Sequence, residues 1–252
     1  MSDQSAAEAA EPAAESTSGP TVGAASAMPE PPQLLIFDVN ETLSDLAAVG
    51  ERFEAAGASR DLARAWFAGV LRDGFALTVT GDRPTFAELA AASLPDLLQE
   101  VAGDPRAAQD DILRTFSELP VHPDVAEGVR DLERLGIRLV TLSNGAASVA
   151  DGLLRRNELD GCFERLMSVE QAPAWKPASA AYDYALAECG VGAADAMLVA
   201  VHPWDVHGAK RAGLRTAWIN RVGGDFPAGF EAPDIEATSI VDLAAQLGAV
   251  GA

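Results

Sequence analysis

The chain has 252 residues, 48% of them hydrophobic and 22% charged, which is typical of a globular protein and unlike fibrous or disulfide-rich chains. Its 38 acidic and 18 basic residues give a formal net charge of −20, which argues against binding to nucleic acid or to anionic membrane surfaces. An anionic substrate therefore needs a local positive group, and Cys162 and Cys189 are too few and too far apart to indicate a metal cluster or a disulfide framework.

The segment from Met1 to Pro32 is rich in Ala, Glu, Ser, Pro and Gly, with five acidic residues and no basic ones. Such a segment buries too little apolar surface to offset its ordering entropy, so it is predicted to be a disordered tail. It lacks the basic start and apolar core of a secretory signal and the arginines of a transit peptide. Since no later stretch offers about 18 consecutive apolar residues, we expect a cytoplasmic protein without a membrane span.

After the tail, strand-like apolar runs alternate with helical patterns, which predicts an α/β fold, a doubly wound Rossmann-like parallel sheet. The stretch from Leu46 to Leu119 breaks this rhythm because it is almost wholly helical, and it is interpreted as an inserted helical cap. The expected domains are a tail at 1–32, a core at 33–46 and 120–252, and a cap at 47–119. The predicted strands are Leu34–Asp38, Ile137–Leu142, Arg165–Val169, Met197–Val201 and Leu214–Ile219.

Polar residues that suit chemistry follow four of these strands. One such residue is common in turns, and Asp38, Ser143 or Asn144 could each simply cap a helix. Parallel strands gather their carboxyl ends at one edge, however, so the set is expected to meet in one pocket. The set comprises Asp38, Ser143, Asn144, Lys176, His202 and Asp205.

These motifs, in this order and with a cap after the first, resemble the haloacid dehalogenase superfamily from about Gln33 to Gly248. The pieces most similar to type II, or (S)-2-haloacid, dehalogenases are Ser143-Asn144-Gly145, Lys176 with Tyr182 six positions on, and Trp204-Asp205 followed by Gly208-Ala209-Lys210. The resemblance implies a small anionic 2-haloacid as substrate and no cofactor, and homodimers are common in the resembled family.

The side chains suit covalent displacement at carbon. Asp38 is the expected nucleophile, since a carboxylate can form an ester that divides one difficult step into two easier ones. Lys176 is expected to keep Asp38 ionised and to balance the substrate charge, although it could instead be a surface lysine. Ser143 and Asn144 are expected to donate hydrogen bonds to a carboxylate or a departing halide. Thr42 and Trp204 are further expected substrate contacts.

The residue two positions after the nucleophile separates reaction classes. Phosphatases of the resembled superfamily carry an acid there, whereas this chain has Asn40, which cannot protonate a leaving alcohol and is expected to contact substrate. His202 also stands where Mg²⁺-dependent members present an acidic group, and imidazole is a poor ligand for Mg²⁺. Two alternatives stay open: a Mg²⁺-dependent phosphatase using Asp38 and Asp205, and a catalytically idle protein that binds a small carboxylate.

The chain departs from the type II pattern at three positions. Phe67 stands where those enzymes carry an Arg that helps to bind the substrate carboxylate, and Arg72 is a possible substitute. Glu41 replaces a usual Gly, and His202 replaces a usual Asn. We expect these two to form a dyad that activates the water hydrolysing the ester, with the carboxylate on the other imidazole nitrogen and Asp205 as the next candidate base.

Several aromatic and histidine side chains have two readings. Four aromatic residues are interpreted as pocket walls, although aromatic residues at helical spacing are as often plain core: Trp66, Phe67, Phe75 and Tyr182. His122 and His207 are expected to be structural.

Overall fold

A computed structural model describes residues 30–99, 101 and 103–250. Most of the predicted tail at 1–32 lies outside the described residues, so its predicted disorder stays a prediction. Within the described part, no helix has the length and apolar composition needed to cross a membrane.

Six parallel strands form one sheet in the order β3-β2-β1-β4-β5-β6, which confirms the predicted doubly wound fold. The strand order reverses between β1 and β4, where such sheets open a crevice beyond the carboxyl ends of their strands. The strands are β1 (Leu34–Phe37), β2 (Arg138–Ser143), β3 (Arg165–Ser168), β4 (Ala196–Ala200), β5 (Arg215–Ile219) and β6 (Ile235–Ala237).

Nine α-helices occupy the described residues. The first four lie between β1 and β2 and make up the inserted helical segment, while the other five flank the sheet. They are α1 (Ala47–Ala55), α2 (Leu62–Thr80), α3 (Phe86–Leu97), α4 (Pro105–Ser117), α5 (Val125–Arg134), α6 (Ala147–Arg156), α7 (Ser179–Cys189), α8 (Pro203–Arg211) and α9 (Ile240–Val250).

Local signals explain several ends of the cap helices. Thr85 and Glu88 form a reciprocal capping box at the start of α3. Gly81 ends α2 at φ 86°, a left-handed conformation that glycine adopts without a steric penalty. Asp104 caps α4 ahead of Pro105, which needs no N–H donor at that position.

The buried apolar residues form two clusters, one on each face of the sheet. Leu34 and Ile36 of β1 face a cluster that continues into the cap helices, whereas Leu35 and Phe37 face the opposite layer with α5 and α9. This alternation follows from the two-residue period of a strand. The cap therefore shares one apolar cluster with the sheet, and the crevice at the strand ends lies beside their junction.

The sequence analysis missed β6, a three-residue edge strand in which exposed Glu236 separates buried Ile235 and Ala237. So short an alternation carries little periodic signal. The other five strands confirm the predicted ones, with shifts of one residue at one or both ends.

Candidate active site

Asp38 follows β1 directly and is 3% exposed. Its Oδ1 accepts a hydrogen bond from Lys176 Nζ at 2.9 Å, and its Oδ2 accepts one from Thr42 Oγ1 at 2.7 Å. Thr42 Oγ1 in turn accepts from Val201 N at 3.1 Å, so the loop after β1 is tied to the end of β4. Thr42, expected to bind substrate, instead orients the carboxylate of Asp38. Asp38 caps no helix, since the next one begins at Ala47.

Lys176 is fully buried between two carboxylates. Its Nζ lies 2.9 Å from Asp38 Oδ1 and 2.6 Å from Asp205 Oδ2. Burial acts to lower the pKa of Lys176, but the charges of Asp205 and Asp38 outweigh it and raise the pKa. The raised pKa keeps the ammonium group charged at neutral pH, and this group donates to the Asp38 carboxylate. The alternative of a surface lysine is wrong.

Tyr182 is a further member of this hydrogen-bond network. Its hydroxyl donates to Asp205 Oδ1 at 2.6 Å, and both side chains are fully buried. Burial first, then the Asp205 carboxylate, hold the pKa of Tyr182 well above its usual value, so the phenol remains a donor. Gly208 makes the approach possible, since a Cβ there would lie 2.7 Å from the Tyr182 hydroxyl. Tyr182 is thus a buried support of Asp205 and not the expected pocket wall.

Ser143 and Asn144, at the end of β2, make different contacts. Asn144 donates to the Lys176 carbonyl at 3.1 Å and accepts from the Lys176 N–H at 3.0 Å, so it holds the lysine backbone in place instead of pointing an amide at substrate. Ser143 Oγ accepts from Gly145 N at 2.9 Å. A Cβ placed on Gly145 would lie 3.4 Å from Ser143 Oγ and 3.6 Å from Asn40 Nδ2, so these two polar groups flank one spot. The helix-cap alternative for Ser143 and Asn144 is wrong, because Ala146 is the N-cap of α6.

His202 stands at the end of β4 with its ring against two aromatic side chains. The ring centroid lies 5.1 Å from that of Trp204, at an interplanar angle of 18°, and 6.0 Å from that of Phe67, at 27°. Phe67 of the cap and Trp204 of the core therefore confine the imidazole between the two parts of the chain. His202 precedes α8 but makes no capping hydrogen bond with its side chain.

One imidazole nitrogen faces every polar neighbour that the structure gives His202. Its Nε2 lies 3.2 Å from the Asn40 carbonyl, 3.8 Å from Asp38 Oδ2 and 3.8 Å from Glu41 Oε2. The expected dyad geometry, with Glu41 on the other nitrogen, is therefore wrong. At 3.8 Å neither carboxylate bonds directly to Nε2, and such separations suit a bridging water molecule.

Glu41 adopts an unusual backbone conformation. Its φ is 61°, in the left-handed region where a non-glycine residue is strained. Its carbonyl accepts a hydrogen bond from His122 Nε2 at 3.0 Å. Burial raises the pKa of the Glu41 carboxyl, although the nearby His202 opposes the shift. The replacement of a typical glycine therefore adds a half-buried carboxyl group beside His202.

A cleft of about 590 Å³ opens beside Glu41 and His202. Its walls combine apolar side chains with charged ones from the first cap helices and from the loop after β5. The residues on which the argument below depends are Glu41, Arg60, Arg64, His202 and Arg221. The cleft supplies a solvent route to the imidazole that faces Asp38.

Two expected substrate contacts from α2 lie elsewhere. Trp66 is 1% exposed, donates from Nε1 to the Ala90 carbonyl at 3.1 Å and packs against Phe116, so it belongs to the cap core. The Arg72 side chain is 76% exposed and pairs with Asp73 at 2.8 Å. Arg72 does not line the cleft and does not replace the family's carboxylate-binding arginine.

Sequence reasoning missed two cationic residues near the site, Arg64 and Arg221. Arg221 donates to the Thr42 carbonyl at 2.7 Å and pairs with Asp124 at 2.6 Å. His122 was expected to be structural, and its contact with the Glu41 carbonyl could not be inferred from spacing. Arg64 lies three residues before Phe67, so the helical period offered a signal that it shares the same face of α2.

The arrangement offers few open oxygen ligands for a divalent ion. Both Asp205 oxygens accept hydrogen bonds, from Lys176 and Tyr182, and the Asn40 carbonyl faces His202. Among the residues that the structure describes, no group of three or more His, Cys, Asp or Glu side chains is placed to hold a metal. These donors therefore do not fit the Mg²⁺ site of the phosphatase alternative.

Comparison with known proteins agrees with this geometry. Residues 32–213 match the model of the haloacid dehalogenase-like hydrolases. Haloacetate dehalogenase H-2 of Moraxella sp. (strain B) is 29% identical to this chain, and the match covers 80% of this chain and 92% of that protein. The (S)-2-haloacid dehalogenase of Pseudomonas sp. (strain YL) is 27% identical, and the match covers 82% of this chain and 90% of that protein. A crystal structure of a dehalogenase with an intermediate complex superposes with a TM-score of 0.82, 25% identity and coverage of 87% and 99%. The chain belongs to the haloacid dehalogenase-like hydrolases, in their type II dehalogenase branch.

Proposed function

We propose that this protein hydrolyses (S)-2-haloalkanoic acids to 2-hydroxy acids through an ester on Asp38. The observation that carries the proposal is the buried Lys176, whose Nζ donates to Asp38 Oδ1 at 2.9 Å while Thr42 Oγ1 donates to the second carboxylate oxygen. The relatives named above support the substrate class, since one acts on haloacetate and the other on (S)-2-haloacids.

In the first half-reaction, the Asp38 carboxylate attacks carbon 2 of the substrate from the side opposite the halogen. A carbon–oxygen bond forms, and the carbon–halogen bond breaks with its electron pair leaving on halide. Halide departs without a proton, so the reaction needs no acid at Asn40. Asn40 Nδ2 and Ser143 Oγ, which flank one spot near Gly145, are suited to stabilise the anion that leaves.

In the second half-reaction, water attacks the ester carbonyl carbon of Asp38 and gives up a proton to His202 Nε2. This requires the neutral tautomer with its hydrogen on Nδ1. The imidazolium that forms then donates from Nε2 to the Asn40 carbonyl at 3.2 Å and lies beside Glu41. The tetrahedral intermediate then collapses with cleavage of the bond between the carbonyl carbon and the alcohol oxygen, and the leaving alkoxide takes the proton from the His202 imidazolium to give the 2-hydroxy acid. The proton left on the Asp38 carboxyl group is lost to solvent, which restores the carboxylate and the neutral imidazole.

A comparison of two reactions tests the proposal. Halide release from (S)-2-chloropropionate and phosphate release from a panel of phosphate esters are measured, each with EDTA and with added Mg²⁺. We expect halide release that survives EDTA and little phosphate release. Phosphate release restored by Mg²⁺ supports the phosphatase alternative, and binding of 2-chloropropionate without either product supports the idle binding protein.

A single turnover in ¹⁸O-water tests the covalent step. We expect the label to appear first in the carboxyl group of Asp38, because water attacks the ester carbonyl. Asp38→Asn should release no halide yet keep the wild-type melting temperature within a few degrees. Label that enters the product before Asp38 means that water attacks the substrate directly.

A further inference from the structure

The site contains less free positive charge than an anionic substrate needs. Asp38 and Asp205 are both buried and face a single ammonium group, that of Lys176, at 2.9 and 2.6 Å. Two carboxylates thus already outweigh the one lysine. A 2-haloacid adds a further negative charge in a chain whose formal net charge is −20. A second cation is therefore required near Asp38.

Most cations near the crevice are already engaged. The side chain of Arg72 is exposed to solvent and forms an ion pair with Asp73. Arg221 is committed to Asp124 at 2.6 Å and to the Thr42 carbonyl at 2.7 Å, and the second contact holds the loop that follows the nucleophile. Arg60 and Arg64 line the cleft, and within the described residues no side-chain hydrogen bond or ion pair engages either guanidinium group.

Position along α2 distinguishes Arg64 from Arg60. Arg64 lies within the helix, three residues before Phe67, so the two side chains share one face of α2. The ring centroid of Phe67 lies 6.0 Å from that of His202. The charge of Arg64 also acts on Glu41, whose carboxyl lies 3.8 Å from His202 Nε2. Arg60 precedes the helix, farther from Phe67 along the chain.

We propose that Arg64 binds a carboxylate of the substrate at the cleft beside His202 and Glu41. A guanidinium group recognises a carboxylate through two parallel N–H donors, and this geometry fixes orientation as well as charge. Bound there, the acid is held beside the imidazole that faces Asp38. Only the identity of the ligand as a haloacid rests on the proposed function.

Two classes of acid supply the same chemistry. In a monocarboxylic 2-haloacid, Arg64 binds the carboxylate next to the reacting carbon. In a 2-halodicarboxylic acid, it binds the distal carboxylate, which the 590 Å³ cleft has room for. Propionate and succinate are unreactive probes for the two classes.

Calorimetric binding of each probe is measured on the wild-type protein and on Arg64→Gln, Arg64→Lys, Arg60→Gln and Arg72→Gln. We expect Arg64→Gln to weaken propionate binding by about 10- to 100-fold, the usual range for a charge-assisted pair. Arg64→Lys should retain part of the affinity for propionate, and Arg72→Gln should leave this affinity unchanged. With 2-chloropropionate, Arg64→Gln should raise KM more than it lowers kcat.

Probe binding does not depend on dehalogenation, so this result is separate from the test of the proposed function. If succinate binds more tightly than propionate and loses that advantage in Arg64→Gln, the distal carboxylate is the ligand. Equal losses for both probes assign the carboxylate next to the reacting carbon. Unchanged binding in Arg64→Gln, or a loss confined to Arg60→Gln, overturns the proposal.

Discussion

The imidazole of His122 donates from Nε2 to the backbone carbonyl of Glu41 at 3.0 Å, at a residue whose φ is 61°. Burial and the nearby Arg221 lower the pKa of His122, so the ring is neutral at pH 7. This bond, together with that from Arg221 to the Thr42 carbonyl, holds a left-handed glutamate at the turn after Asp38. Strained residues of this kind cluster at functional sites.

Replacing Glu41 with glycine should separate stability from activity. Glu41→Gly removes the left-handed penalty of a side-chain-bearing residue, so we expect the free energy of unfolding to rise by about 1 kcal/mol. Turnover should fall, because the carboxyl beside His202 is lost. Urea unfolding and kcat measure the two effects. Glu41→Ala is the matched control: it loses the same carboxyl but keeps Cβ at φ 61°, so its stability should lie below that of the glycine variant.

The raised pKa of Glu41 predicts a pH dependence of stability. Burial raises the pKa, so between the ordinary and the raised value the folded state binds more protons than the unfolded state. The stability that protonated Glu41 contributes at low pH is therefore lost as the pH rises from the ordinary to the raised pKa. Glu41→Gln should flatten this fall in a series of urea unfolding curves, and Glu54→Gln, at an exposed position of α1, should not. Parallel wild-type and Glu41→Gln curves contradict the prediction.

The sequence predicted the sheet and the meeting of Asp38, Lys176, His202 and Asp205, because strand-end position alone determines that they share one edge. It did not predict which atoms face each other. Asn144 and Tyr182 were assigned to substrate, yet both support other site residues, since side-chain direction depends on packing that no spacing encodes. Arg72 was chosen by its distance along the helix, but its angular position on α2 points it into solvent.

Removing the Tyr182 hydroxyl should destabilise the protein. Tyr182→Phe leaves Asp205 Oδ1, now bonded at 2.6 Å, without its phenol donor inside the core. A buried acceptor left unsatisfied costs about 1–3 kcal/mol, which urea unfolding measures. Tyr184→Phe is the control, since within the described residues its hydroxyl makes no hydrogen bond. Equal losses in the two variants mean that the Asp205 contact contributes little.

Removing the charge of Lys176 should lower the free energy of unfolding by more than the loss of the Tyr182 hydroxyl does, and by an amount that depends on pH. Lys176→Met leaves Asp38 and Asp205 buried without their shared cation, and breaking such a pair costs about 3–5 kcal/mol. Burial already raises the pKa of Asp205 against the opposing charge of Lys176, so without that charge this pKa should rise further. The loss should therefore be greatest at neutral pH and shrink as the pH falls and Asp205 takes up a proton. Lys210→Met, which breaks a part-exposed pair with Asp234, should cost about 0–1 kcal/mol. A deficit that is constant with pH contradicts this account.

His202→Ala should stop the reaction halfway. Nε2 lies 3.8 Å from Asp38 Oδ2, within reach of a water that attacks the Asp38 ester, while halide departure needs no base. The variant should therefore release about one halide per active site in a burst and then accumulate the alkylated enzyme, seen by mass spectrometry as added mass on the peptide containing Asp38. Glu41→Gln should slow the same step less severely. His122→Ala serves as a comparison: within the described residues the one hydrogen bond of its imidazole goes to the Glu41 carbonyl, so this variant should leave no stable adduct. If His202→Ala shows neither burst nor adduct and only weakens substrate binding, His202 is a substrate contact and the base lies elsewhere in the site.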